Sequence, residues 1–194
     1  MKGIVFMIIL ASNSPRRKEL LTQINCSFIC RTKSCSELTA KDETNPLELV
    51  RKNAILKAKS SINEHDSSET ILGADTVVAL NDIIYGKPHD DKEAFAMLKN
   101  LSGKTHQVYT GIALIKNNQI FSDVAKTDVT MKKLTDAEIL NYIASKEPQD
   151  KAGAYAIQGL ASVFVEKING CYFNVVGLPL NCLYNLCQQA DVKL

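Results

Sequence analysis

Apolar residues run unbroken from Ile4 to Ile9, and the spacing then changes. A short uninterrupted apolar run predicts a buried strand. Further on, Leu20, Leu21 and Ile24 recur at helical intervals on one face. Between these segments Ser14 suits an N-cap and Pro15 the first helical position. The chain is expected to leave a sheet, turn through small polar residues, and enter a helix whose first turn carries Arg16 and Arg17. Phe28–Arg31 reads as a second strand and Thr32 to Asn45 as a polar, turn-rich segment. Pro46 opens a helix through about Ser61, with Leu49, Val50, Ala54, Leu56 and Ala58 as its apolar stripe.

Ser60 to Glu69 is polar and predicts a loop. Thr70–Leu80 predicts a strand with an interruption, because Gly73-Ala74-Asp75-Thr76 separates two apolar, β-branched pieces. Asn81-Asp82 predicts a hairpin turn into Ile83-Ile84-Tyr85, which Gly86-Lys87-Pro88 ends. A helix follows from Asp90 through Asn100, with Ala94, Met97, Leu98 and Leu101 on one face. Thr105–Ile115 and Gln119–Met131 alternate as strands do, and Lys116-Asn117-Asn118 joins them as a hairpin. Thr135 caps a helix over Ala137–Ala144, with Glu138 completing a capping box. Pro148–Gly153 predicts a loop, Ala161–Ile168 a strand, Asn169-Gly170 a turn, and Leu180–Gln189 the last helix.

Strands alternating with helices, then a hairpin pair, predict an α/β fold: a mixed twisted sheet flanked by helices. No repeat and no linker rich in Gly, Pro or Ser divides the chain, so residues 1–194 are expected to form one domain. A cleft is expected where strand ends meet loops.

Composition narrows the function classes. A 45% hydrophobic and 23% charged chain has the makings of a full globular core. A net charge of +2 with scattered basic residues lacks the stripe a nucleic-acid binder needs. The six cysteines form no CxxC pair and no zinc spacing, so buried, reduced thiols and a cytoplasmic location are expected. Lys2 followed by Ile4–Ala11 imitates a short signal peptide, but no Ala-x-Ala site follows, so a core strand is expected there. No apolar stretch is long enough to span a bilayer, and no membrane partner is expected.

Several polar residues fall at strand ends or in tight loops: Ser12, Arg16, Arg17, Glu37, Lys57, Asp75, Lys87 and Gln158. Free N–H groups, hydroxyls and guanidinium forks at one helix start suit a phosphate. Asp75 stands out, because an acid inside a strand pattern is a local inconsistency of the kind function produces. Buried beside cations it can accept a proton from water, while its structural alternative is a turn acid capping an amide. Lys57 near a helix C-terminus is favoured by the dipole without any function. Glu37 can simply balance Arg16 or Arg17. His106 is read as structural, and His65 and His89 lack a partner pattern for a metal. These residues alone reach a cleft for a phosphorylated ligand, with acids that allow a divalent metal and water activation.

Six stretches carry a resemblance. They are Leu10-Ala11-Ser12-x-Ser14-Pro15-Arg16-Arg17-x-Glu19-Leu20-Leu21; Gly73-Ala74-Asp75-Thr76-Val77-Val78; Gly86-Lys87-Pro88; Leu101-Ser102-Gly103-x-Thr105-His106-x-Val108-x-Thr110-Gly111; Glu147-Pro148-x-Asp150-Lys151-Ala152-Gly153-Ala154-Tyr155-x-Ile157-Gln158-Gly159; and Val175-Val176-Gly177-Leu178-Pro179-Leu180. In this order they resemble the Maf-like nucleotide pyrophosphatases nearly end to end. The resemblance implies two lobes around a central cleft, as in inosine-triphosphatase-like folds. It also implies hydrolysis of a nucleoside triphosphate to the monophosphate and pyrophosphate. It makes Asp75 the general base and places Ser12, Ser14, Arg16, Arg17, Lys57 and Lys87 around the phosphates. Glu37 and Asp75 would hold a divalent metal, Mg²⁺ or alternatively Mn²⁺. Arg16, Thr76 and Gln158 would help choose the base. A homodimer is the family expectation.

Asp75-Thr76 and Glu147-Pro148-x-Asp150-Lys151-Ala152-Gly153 resemble the dTTP/UTP branch; the branch acting on 7-methyl-GTP tends to carry Asp-Gln at the first place. Three departures stand out: Ser36 where an acid usually precedes Glu37, Lys146 where Gly is frequent, and Met131 where Phe is common. Two other readings compete: a pyrophosphatase for 7-methyl-GTP or inosine-type nucleotides, and a non-enzymatic nucleotide-binding regulator of cell division.

Overall fold

The computed structural model describes residues 7–63 and 69–194. The first half of the Ile4–Ile9 run, His65 and half of the Ser60–Glu69 segment lie outside them. Seven strands form one mixed sheet in the order β2-β1-β3-β5-β6-β7, with β4 also paired to β3. In chain order they are β1 (Ile8–Leu10), β2 (Phe28–Cys30), β3 (Thr70–Leu80), β4 (Ile83–Tyr85), β5 (Thr105–Lys116), β6 (Gln119–Met131) and β7 (Val165–Asn169). The helices are α1 (Pro15–Gln23), α2 (Pro46–Ser60), α3 (Asp91–Leu101), α4 (Asp136–Ala144), α5 (Tyr172–Val176) and α6 (Leu180–Gln189). None among the described residues is long and apolar enough to cross a membrane.

The sheet is parallel around β1 and antiparallel from β3 through β7. β1 pairs in parallel with β2 and β3, whereas β3, β5, β6 and β7 run antiparallel in turn. Both hairpin turns put two consecutive residues at positive φ, Asn81-Asp82 and Asn117-Asn118. That is the backbone of a type I′ turn, which Asn and Asp tolerate. Capping behaves as expected at α4, where Thr135 and Glu138 bond each other's backbone. At α1 it does not: Ser14 occupies the N-cap position without a side-chain cap, and its own N–H donates to Ser12 Oγ at 3.3 Å.

β3 is one continuous strand rather than an interrupted one. Its glycine serves packing. A Cβ on Gly73 would lie 2.1 Å from the Ala54 carbonyl oxygen, and one on Gly111 2.4 Å from that of Val50. These two positions lie on neighbouring strands, Gly111 being paired with Asp75. Bare backbone there lets α2 settle directly on the sheet. Side-chain alternation along β3 then decides what each residue meets. Ile71 packs on the α2 side with Ala54 and Ala58, while Leu72 and Ala74 pack with Leu20, Leu21 and Leu183 of α1 and α6.

Three further differences concern the second half. Ala161–Ile168 is not one strand: a 3₁₀ turn covers Leu160–Phe164 and β7 begins at Val165. Ala161 and Phe164 are buried while Val163 is exposed, a three-residue period that a short apolar run does not distinguish from alternation. The predicted Pro148–Gly153 loop contains two 3₁₀ turns, Glu147–Asp150 and Ala152–Ala154. Helix α5 was not expected from the pattern at all; it ends at Gly177, whose φ of 114° favours glycine.

Candidate active site

One edge of β3 is paired in two separate places. β1 covers Thr70–Leu72 and β4 covers Val78–Leu80. Between them, among the described residues, Gly73 to Val77 has no strand neighbour on that edge. The opening leads into a cleft of about 1230 Å³. Every candidate side chain named from the sequence borders this cleft: Ser12, Ser14, Arg16, Arg17, Glu37, Lys57, Asp75, Thr76, Lys87 and Gln158.

Asp75 lies in the gap, 8% exposed, and faces α2. Its Oδ1 accepts from Lys57 Nζ at 2.6 Å and its Oδ2 from Asn53 Nδ2 at 3.1 Å. Each oxygen keeps a further lone pair for a water or a cation. Lys57 Nζ also lies 2.8 Å from Glu37 Oε2, so one ammonium joins both acids. Glu37 therefore pairs directly with Lys57, and it acts on Arg17 through space without a direct bond. It comes from an irregular segment that Asn53 pins: the Leu38 N–H donates to Asn53 Oδ1 at 2.8 Å, and Asn53 Nδ2 donates to the Leu38 carbonyl at 3.0 Å. Asn53 was missed by sequence reading. Its signal was a polar residue inside the apolar stripe of α2, one turn before Lys57.

The alternate residue, Thr76, faces the opposite side of the sheet. Its Oγ1 accepts from Arg17 at 3.2 Å and lies 2.9 Å from Thr110 Oγ1. Thr110 in turn donates to the Asn174 carbonyl at 3.0 Å, in α5. Arg17 differs from the expected free phosphate ligand. Its side chain is buried, and Nε donates to the Gly177 carbonyl at 2.8 Å. One terminal nitrogen donates to Ser12 Oγ at 3.1 Å and to the Ala74 carbonyl at 3.0 Å. Burial lowers its pKa to about 10, with Asp75 opposing the shift. Arg17 thus props the Ser12 turn and the gap in β3 from beneath.

Arg16 points elsewhere, half-buried on the same helical turn. Burial lowers its pKa, opposed by Asp150, Glu19 and Glu147. Lys87 and Gln158 are exposed on the cleft's other wall. The Gln158 segment is held by Glu147, whose Oε2 accepts from the Leu160 N–H at 3.0 Å and whose Oε1 accepts from Tyr142 at 2.9 Å. Lys151 was also missed. It borders the cleft, its pKa is lowered by burial and by Arg16 and Lys87, and a Gly153 N–H to Gly86 carbonyl bond of 3.0 Å ties its turn to the Lys87 loop. His106 is a core residue, as expected, with Nε2 2.8 Å from the Tyr155 hydroxyl.

No group of three or more His, Cys, Asp or Glu side chains converges among the described residues. Asp75 and Glu37 are two acids already drawn to one positive charge, the Lys57 ammonium. Two hard carboxylates suit a magnesium-type ion whose remaining ligands are water and phosphate oxygens.

A gapped strand presenting a buried carboxylate, with cations on both walls of the opening, defines an α/β protein shaped for a charged, phosphate-bearing ligand. The family model described as Maf-like protein matches residues 7–190, and the chain belongs to that family. It is similar to proteins named dTTP/UTP pyrophosphatase from Thermoanaerobacter sp. (strain X514), Clostridium novyi (strain NT) and Bacillus cereus (strain B4264), at 45%, 46% and 46% identity. Each comparison covers 96% of this chain, and respectively 98%, 99% and 97% of those proteins. The solved structure of the Staphylococcus aureus Ham1 protein is similar at 15% identity and a TM-score of 0.44, covering 64% of this chain and 71% of that one.

Proposed function

We propose that this protein hydrolyses dTTP and UTP to the monophosphate and pyrophosphate. The observation that carries the reading is the Asp75 carboxylate, held in the β3 gap by Lys57 and Asn53 and open to a cleft walled by Arg16, Lys87 and Lys151. The triphosphate lies along these cations, with Ser12 and Ser14 at the helix start. Arg17 keeps the Ser12 turn and Thr76 in place from below. Asp75 orients a water and takes its proton as the water oxygen bonds to phosphorus. The bridge between the α- and β-phosphates opens, releasing pyrophosphate. Asp75 and Glu37 would hold a divalent metal, Mg²⁺ in this proposal, which would supply charge neutralisation to the phosphates. Positioning and neutralisation supply most of the rate, as in other phosphoryl chemistry.

Gln158 presents an amide suited to the O2, N3 and O4 edge of a pyrimidine, with Arg16 beside it, and Thr76, whose oxygen is already bonded to Arg17 and Thr110, can add an acceptor. A site that pairs such groups rejects a base that leaves them unpaired. A panel of nucleoside triphosphates with separate detection of pyrophosphate and orthophosphate tests the whole reading. Pyrophosphate from dTTP and UTP is expected. Preference for 7-methyl-GTP overturns the substrate, and orthophosphate as the product overturns the reaction.

A further inference from the structure

Lys57 is placed where a metal would be needed. Its ammonium lies 2.6 Å from Asp75 Oδ1 and 2.8 Å from Glu37 Oε2. These acids come from a buried strand and from an irregular surface segment, and among the described residues the cation bonded to both is Lys57. Like charges do not gather without a counter-charge between them. The side chain is well suited to a temporary role. Lysine carries a compact charge on a flexible four-carbon stem, unlike the fixed fork of arginine. Its ammonium borders the open cleft, while Asn53 holds the Glu37 segment independently through two backbone bonds. The acid pair can therefore stay assembled when the ammonium leaves. Two carboxylates are also few ligands for a hard divalent ion, which takes six or more oxygens.

We infer that Lys57 is a displaceable counter-ion: in the free protein it occupies the cation position between Asp75 and Glu37, and it gives up that position to a metal that arrives with the triphosphate, moving its charge onto a phosphate oxygen. The metal site is then incomplete without substrate. This rests on the proposed function for the identity of the triphosphate, but its metal arm is independent of turnover.

The test is Mn²⁺ binding, read from the loss of the free-ion electron paramagnetic resonance signal, with the full chain at neutral pH and no nucleotide. Wild type is expected to bind weakly, Lys57→Met at least tenfold more tightly, and Lys57→Met/Asp75→Asn as weakly as wild type. A second measurement needs no variant: a dTTP analogue with a methylene bridge between the α- and β-phosphates should raise the wild-type affinity for Mn²⁺ at least tenfold, after subtraction of the Mn²⁺ that the analogue chelates without protein. Equal or weaker binding by folded Lys57→Met overturns the inference. So does a wild type that binds Mn²⁺ as tightly alone as with the analogue. Absence of dTTP and UTP hydrolysis, with tighter Mn²⁺ binding by Lys57→Met, would remove the proposed function and leave the lysine's role standing.

Discussion

Arg17 and Gly177, 160 positions apart, are joined by a 2.8 Å hydrogen bond from Nε to the carbonyl oxygen. The same guanidinium reaches Ser12, Ala74 and Thr76, so one buried side chain ties the α1 turn, the gap in β3 and the end of α5. Lysine cannot reproduce this fork. Arg17→Lys is expected to lose stability on the order of 2–4 kcal/mol, since several bonds to a charged donor go at once. Thermal melts check it, with a fall of roughly 5–15 °C expected. An unchanged melt with nucleotide affinity lost would instead make Arg17 a direct phosphate ligand.

Asp75→Asn keeps the shape of the side chain and removes the proton acceptor. Turnover of dTTP is expected to fall by about 10²–10⁴, with KM changed only a few-fold. Steady-state kinetics with pyrophosphate detection decide it; wild-type kcat would end the general-base assignment.

Gly73 marks where α2 touches bare sheet. Gly73→Ala drives a Cβ into the Ala54 carbonyl and the Ala58 N–H. Backbone on both sides leaves little room to yield, so a loss of about 3 kcal/mol is expected. Turnover should drop with it, because α2 carries Asn53 and Lys57. Gly86→Ala is the control: nothing lies within 4 Å of its added carbon, and the change should stay within about 0.5 kcal/mol. Urea melts and activity of both variants settle the comparison.

His106 gives the fold an acid-sensitive term. Burial pushes its pKa down to about 4. The unfolded chain takes up this proton below about pH 6.5, whereas the folded one resists until about pH 4. The contribution is therefore fully present above pH 6.5 and is lost as pH falls towards 4, at no more than roughly 1.4 kcal/mol per pH unit. Urea midpoints at pH 7, 6 and 5 should decline more steeply for wild type than for His106→Gln. Parallel declines would show that the imidazole is not held neutral.

Much of this architecture is legible along the chain because its causes are local. Pro15 and Pro46 at helix starts, the Thr135–Glu138 box and the two Asn-rich hairpin turns act within a few residues, and each appears where the pattern places it. Residue types also pointed to the cleft: Asp75 stood out as an acid in a strand pattern, and it lines the cleft with Lys57, Arg16 and Lys87.

Other features depend on chain segments far apart in sequence. Whether Arg17 is a free cation or a buried prop depends on a carbonyl in the last quarter of the chain. The apparent break at Gly73–Thr76 is an unbroken strand whose outer edge, among the described residues, has no strand partner between β1 and β4. Leu160–Phe164 turns rather than extends while Glu147 takes the Leu160 N–H and Ala161 and Phe164 find a core. Backbone angles and caps are chosen by near neighbours, so order along the chain reveals them. A donor or a charge chooses its partner by distance in space, and folding alone sets which groups come within 3 Å of one another.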